Sequence, residues 1–87
     1  MAGAVLVTGA ASGIGYACVE MLLARGFNAC AIDIAPIPEG AFAGAGDRFL
    51  SVPTDVSDPR ACAAAVSAAL QKFGKIDALI HMAAVHS

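Results

Sequence analysis

The sequence predicts an α/β fold: one domain over residues 1–87, expected to be incomplete, with a parallel sheet of about four strands in the order 3-2-1-4 and flanking helices. Three observations lead there. Four short apolar runs, Ala4 to Thr8, Asn28 to Ile32, Arg48 to Val52 and Ala78 to Ala83, are interleaved with two helical stretches. The runs are apolar almost without alternation, as strands covered on both faces of a parallel sheet are. Right-handed crossovers then set strands two and four on either side of strand one, with strand three outermost.

The first run is rich in β-branched residues and leads directly into Gly9. A helix follows from near Ser12. Ile14, Ala17, Cys18, Met21 and Leu22 recur at helical spacing and are expected to face the sheet, with Glu20 and Arg25 turned away and Gly26 as the stop. After strand two, the stretch Ala35-Pro36-Ile37-Pro38-Glu39-Gly40 cannot be a helix interior, because two prolines and a glycine punctuate it. The connection to strand three is therefore expected to be short and irregular, with one turn near Ala41 to Ala45. Strand three ends at Pro53-Thr54-Asp55. Ser57-Asp58-Pro59 opens the second helix with a capping side chain and a proline in the first turn. Its expected apolar face is Ala65, Val66, Ala69, Leu70 and Phe73, with Lys72 in the last turn and Gly74 beyond it. Strand four closes the order.

Chemistry concentrates at the first strand–helix junction, Thr8-Gly9-Ala10-Ala11-Ser12-Gly13-Ile14-Gly15. The first turn of a helix carries unpaired N–H groups and the positive end of the helix dipole, so it attracts a phosphate. Gly9 permits the sharp exit from the strand, Gly13 and the backbone around Ile14 admit a pyrophosphate, and Gly15 allows close packing of helix on sheet. Ser12 reads either as a phosphate donor or as the helix N-cap. About 20 residues on, Asp33, with Ile34 beside it, ends strand two, where a carboxylate accepts hydrogen bonds from ribose hydroxyls. A carboxylate there repels a 2′-phosphate. No basic residue lies between Gly9 and Gly15 or between Asp33 and Asp47, so NAD is expected over NADP.

The junction resembles the T-G-x-x-x-G-I-G signature of the short-chain dehydrogenase/reductases, and the resemblance extends over essentially the whole chain. It implies a partial Rossmann fold corresponding to the N-terminal, NAD-binding part of such an enzyme. Asp55-Val56 is similar to the family's Asp-Val pair beside the adenine; on its own Asp55 reads equally as a turn residue after Pro53. Asp77-Ala78-Leu79-Ile80-His81-Met82-Ala83-Ala84 stands where the family has D-x-L-V-N-N-A-G, which implies that Ala83 and Ala84 lie against the ribose near the nicotinamide. His81 and Ala84 depart from that pattern, and His81 is expected to be structural. The family's catalytic Ser and Tyr-x-x-x-Lys have no counterpart: Tyr16, the only tyrosine, is followed four residues later by Glu20, so its expected role is packing. The resemblance thus implies hydride transfer between NAD and an alcohol or ketone for a complete enzyme, and no catalytic residue within these 87.

Composition narrows the remaining classes. Mean hydropathy is +0.75, yet no apolar run reaches the ~18 residues of a spanning helix, so no membrane partner is expected. Seven acids and five bases are dispersed, which offers nucleic acid no basic cluster. Met1-Ala2-Gly3 lacks a positive leader, and the expectation is cytoplasmic. Cys18, Cys30 and Cys62 share no metal-ligand spacing and read as buried reduced thiols, with no metal. Strand four is expected to be an exposed apolar edge, covered by a further C-terminal part of the chain or by a second copy. The alternative from another class is a non-catalytic nucleotide-binding or interaction module.

Overall fold

In the computed structural model, which describes residues 3–11, 13–35, 37 and 42–81, strands β1 (Ala4–Thr8), β2 (Asn28–Asp33), β3 (Phe49–Pro53) and β4 (Ala78–His81) pair in parallel. Their order is β3-β2-β1-β4, the order that the crossover rule predicts. The register sets Thr8 against Ile32 on one side and His81 on the other. Strand three is one residue later than expected, because Arg48 has another task. Strand four is described as far as His81; the expected continuation to Ala83 lies outside the described residues.

Side chains alternate across the sheet, so each strand feeds two cores. Val5, Val7, Ala29 and Ala31 pack under helix α1 (Gly13–Ala24), while Leu6, Cys30 and Ile32 pack under helix α2 (Pro59–Phe73). The crossover from β1 to β2 and the one from β3 to β4 run in opposite directions across the sheet. Because both are right-handed, their helices fall on opposite faces.

The buried face of α1 is Gly15, Val19, Leu22 and Leu23, which corrects the stripe expected from the sequence. Ile14 and Met21 are largely exposed, Ala17 is exposed, Cys18 is half-buried, and of the expected set only Leu22 is buried. The reason is steric. A Cβ on Gly15 would overlap the Gly9 carbonyl oxygen and stand 2.8 Å from its carbon, so this glycine is the point of closest approach and fixes the helix's rotation. Hydrophobicity alone could not choose, since nearly every residue of α1 is apolar. The helix ends in a Schellman turn: Phe27 N–H donates to Leu22 O at 3.0 Å and Gly26 N–H to Leu23 O at 3.1 Å, with Gly26 at φ +88°.

Helix α2 is capped as the sequence indicates. Asp58 accepts from Arg60 N–H at 3.0 Å, and Gly74 closes the other end in the left-handed region. Its inner face is narrower than expected: Ala65 and Ala69 are buried and Phe73 half-buried, whereas Val66 and Leu70 are exposed. With Leu79 of β4 they leave apolar surface uncovered on the β4 side of the sheet, in keeping with an exposed apolar edge.

The β2–β3 connection carries short 3₁₀ turns over Ala43–Arg48 that meet at Gly46, slightly later than the turn expected near Ala41 to Ala45. Arg48 closes this segment by donating from one guanidinium nitrogen to Leu23 O and Phe27 O, both at 3.1 Å. It thereby ties the end of α1 and the residue before β2 to this connection, adding a second donor at Leu23 O beside Gly26 N–H. Phe42 stacks between Tyr16 and Phe49, with ring centroids 4.9 and 4.8 Å apart, so Tyr16 is a packing residue as expected.

Candidate functional site

In an open parallel sheet, ligands bind beyond the carboxyl ends of the strands where the strand order reverses. Here that point lies between β1 and β4, and the glycine turn and Asp33 stand beside it. Gly9 leaves β1 at φ +70°. Three consecutive amides then turn toward the end of β2: Gly9 N–H and Ala10 N–H donate to Ile32 O at 2.9 and 3.4 Å, and Ala11 N–H donates to Asp33 Oδ2 at 3.0 Å. The backbone then enters α1 at Gly13, close to the start expected near Ser12. Ser12 itself, one of the expected site residues, lies outside the described residues, as do Ala83 and Ala84.

The start of α1 is open to a ligand. Among the described residues outside the helix's own first turn, no heavy atom stands within 4 Å of where a Gly13 Cβ would be, and Ile14 is 74% exposed. A helix of 12 residues presents its orphan N–H groups and the positive end of its dipole there. The electrostatics and the space both suit a pyrophosphate.

Asp33 is half-buried and oriented by two backbone amides, Ala11 N–H on Oδ2 and Ala35 N–H on Oδ1 at 3.1 Å. Each carboxylate oxygen keeps a second acceptor direction for a hydroxyl. Ile34 beside it is 71% exposed. The backbone of Asp33 also accepts from Thr54 N–H at 2.7 Å, which anchors the turn after β3 to the same point.

Asp55 and Val56 follow in that turn. Asp55 Oδ1 accepts from Ser57 Oγ at 2.6 Å and Ser57 N–H at 2.9 Å. The hydroxyl first, and the amide after it, hold this carboxylate below its ordinary range. Val56 lines an apolar groove with Leu6, Ile32 and Leu79, rimmed by Thr8 and His81. The structure therefore brings Gly9, Gly13, Ile14, Gly15 and Asp33 around one junction, with Val56 on the groove beside β4.

Two contacts of this region escape sequence reasoning. Thr8 Oγ1 and His81 Nδ1 are 2.6 Å apart, a bond between the last residues of neighbouring strands. The predicted order already makes those strands neighbours, so the register was the missing step. The Ala11–Asp33 bond spans 22 residues, and no local pattern signals it. Cysteine burial also differs from expectation: Cys30 alone is buried, and its thiol is pushed up to about 11 by desolvation, while Cys18 and Cys62 are half-buried. Among the described residues no helix is long and apolar enough to cross a membrane.

The sequence profile of the short chain dehydrogenase family matches residues 3–87. Oxidoreductase UcpA of Escherichia coli is 39% identical over 83 residues, which cover 92% of this chain and 32% of that protein. Cis-4-hydroxycyclohexanecarboxylate dehydrogenase of Sinomonas cyclohexanicum is 41% identical over 86 residues, covering 92% of this chain and 33% of that one. Among solved structures, the NADH complex of 3-ketoacyl-(acyl-carrier-protein) reductase from Brucella melitensis superposes with a TM-score of 0.75 at 34% identity, over 88% of this chain and 32% of that one. An apo SCOR enzyme from Clostridium thermocellum gives a TM-score of 0.87 at 32% identity, over all of this chain and 36% of that one. The chain thus spans about a third of the length of the relatives it matches.

Proposed function

The chain belongs to the short-chain dehydrogenase/reductase family, and we propose that it forms the NAD-binding N-terminal part of an oxidoreductase that moves a hydride between NAD and an alcohol or ketone. The observation that carries this reading is the joint placement of the glycine turn and Asp33, held together by the Ala11 N–H bond at 3.0 Å. The residues present suit a dinucleotide. Open space at Gly13 and the N-terminus of α1 receive the pyrophosphate, and the outward acceptor directions of Asp33 receive the adenosine ribose. Asp55 and Val56 border the adenine, with Ile34 exposed near its ribose; Ser12 offers its hydroxyl to a phosphate, and Ala83 and Ala84 complete the set on the family's pattern. When bound, the nicotinamide supplies the hydride acceptor or donor.

The role of this chain's own residues is binding and orientation. A Tyr-x-x-x-Lys pair does not occur in these 87 residues, and Tyr16 is engaged with Phe42. Proton transfer therefore belongs to groups beyond this set. A cytoplasmic setting, expected from the sequence, is part of the same proposal. The exposed apolar residues Val66, Leu70 and Leu79 favour one second reading, a non-catalytic nucleotide-binding module that pairs through its β4 edge.

Calorimetric titration with NAD and NADP tests the cofactor assignment. NAD is expected to bind at least about tenfold more tightly, because a 2′-phosphate would face the Asp33 carboxylate. Equal affinities, or tighter NADP, would refute the role of Asp33; no binding of either would refute the site. A stable complex with NAD and no turnover in the longest natural form of the chain would favour the second reading.

A further inference from the structure

We infer that Asp33 is also a positioning residue for the glycine turn, and that its carboxylate sets the phosphate-binding amides in place before any ligand arrives. This rests on the proposed dinucleotide site but adds a role that ribose recognition does not require. Gly9 and Ala10 donate to Ile32 O, and Ala11 donates to Asp33 Oδ2. The last of these bonds differs in kind. The first two end on a main-chain carbonyl that any residue provides, whereas the third ends on a side chain and is charge-assisted. It is also the one nearest the start of α1, two residues before Gly13.

The carboxylate is itself braced. Ala35 N–H holds Oδ1 and Thr54 N–H holds the Asp33 carbonyl, so the acceptor offered to Ala11 is fixed from the β3 side of the sheet. Both oxygens serve as acceptors toward backbone N–H groups. An amide side chain cannot reproduce this, because its NH₂ would face one of the two donors. Asp33→Asn keeps one bond at most and Asp33→Ala keeps neither.

The two roles of Asp33 make opposite predictions for a ligand without a ribose. Inorganic pyrophosphate is such a probe. If Asp33 acted only on ribose, removing its negative charge would leave pyrophosphate affinity unchanged or raise it by relieving repulsion. If Asp33 positions the turn, the affinity falls despite the lost repulsion. In the full chain we expect pyrophosphate binding, followed by calorimetry, to weaken severalfold in Asp33→Ala and less in Asp33→Asn. Amide hydrogen exchange supplies a readout that needs no ligand. Exchange at Gly9 and Ala10, whose amides donate to Ile32 O, should accelerate on the order of tenfold in Asp33→Ala, while exchange in β1 and α2 stays as in the parent.

Unchanged or tighter pyrophosphate binding overturns the inference, and so does unchanged exchange at Gly9 and Ala10. If the parent chain binds neither pyrophosphate nor NAD, the cofactor reading fails on its own, and the exchange data still decide whether Asp33 holds the turn. Acceleration throughout β1 and α2 would mean a general loss of folding and would overturn the local role. Asp33→Asn, which keeps size and shape, guards against that outcome being an effect of truncation.

Discussion

Gly15→Ala is the substitution that most directly tests how α1 sits on the sheet. An added Cβ would overlap the Gly9 carbonyl oxygen, with Gly9 C at 2.8 Å and Ala10 Cα at 3.0 Å. All three are backbone atoms of a turn already tied to Ile32 and Asp33, so none moves cheaply. Overpacking of this kind costs about 1–3 kcal/mol, and the main-chain overlap puts it at the upper end. Alanine's better helix propensity returns at most about 1 kcal/mol. The net expectation is a loss of about 2 kcal/mol, equivalent to a fall in Tm of roughly 8–16 °C for a domain this small. Urea unfolding followed by circular dichroism measures it, with Gly13→Ala as the internal control. Among the described residues outside its own helical turn, none has a heavy atom within 4 Å of a Cβ added to Gly13, so that variant should match or exceed the parent in stability yet bind NAD more weakly, since the methyl occupies the proposed ligand's approach. A Gly15→Ala chain as stable as the parent would show that α1 does not make this approach, and the assignment of its buried face would fall with it.

Arg48→Ala should cost about 1–3 kcal/mol in the same assay, because it removes the side-chain donor at Phe27 O and leaves Leu23 O with Gly26 N–H alone; a shift below ~0.5 kcal/mol would show that water replaces the guanidinium at these carbonyls. A pH series tests Asp55. Its pKa is lowered by the Ser57 hydroxyl and amide, so the carboxylate's contribution is present above the ordinary range and is lost as pH falls through the lowered value. Relative to the parent, Ser57→Ala should be less stable at neutral pH, with the gap closing below about pH 4; a gap that stays constant down the acid limb would detach the effect from Asp55 ionisation.

The fold was legible wherever backbone chemistry is local. The four strands, the Asp58 cap and the Gly26 and Gly74 stops follow from residue types whose effects act within a few positions. The rotation of α1 was not legible from periodicity, because a helix that is apolar nearly all round carries little directional signal. The signal that did exist was Gly15. Counting from it as the contact point gives Val19, Leu22 and Leu23 at i+4, i+7 and i+8, which is the buried set. Steric necessity at one residue outranked the hydrophobic pattern of twelve. In α2 the reverse held: the pattern marked Val66 and Leu70 as core, but among the described residues no strand lies beyond β4 to meet them.

The candidate site divides along the same physical line. Gly9, Gly13, Gly15 and Asp33 were legible because each answers a requirement of the strand–turn–helix unit: a sharp exit, an open approach, a close contact, and an acceptor at the next strand's end. What the sequence withheld were the bonds that join those residues, because they depend on register rather than on residue type. Parallel pairing of β1 with β2 puts Thr8 opposite Ile32, and only that alignment brings Asp33 level with the turn so that its carboxylate reaches Ala11. The same alignment on the other side brings His81 to Thr8. A shift of one residue would send Asp33's side chain to the opposite face and separate it from the turn. The candidate site is therefore a property of register as much as of motif, and the buried small residues Ala29, Cys30 and Ala31, which let β2 lie between two helices, are part of what places Asp33 at the turn.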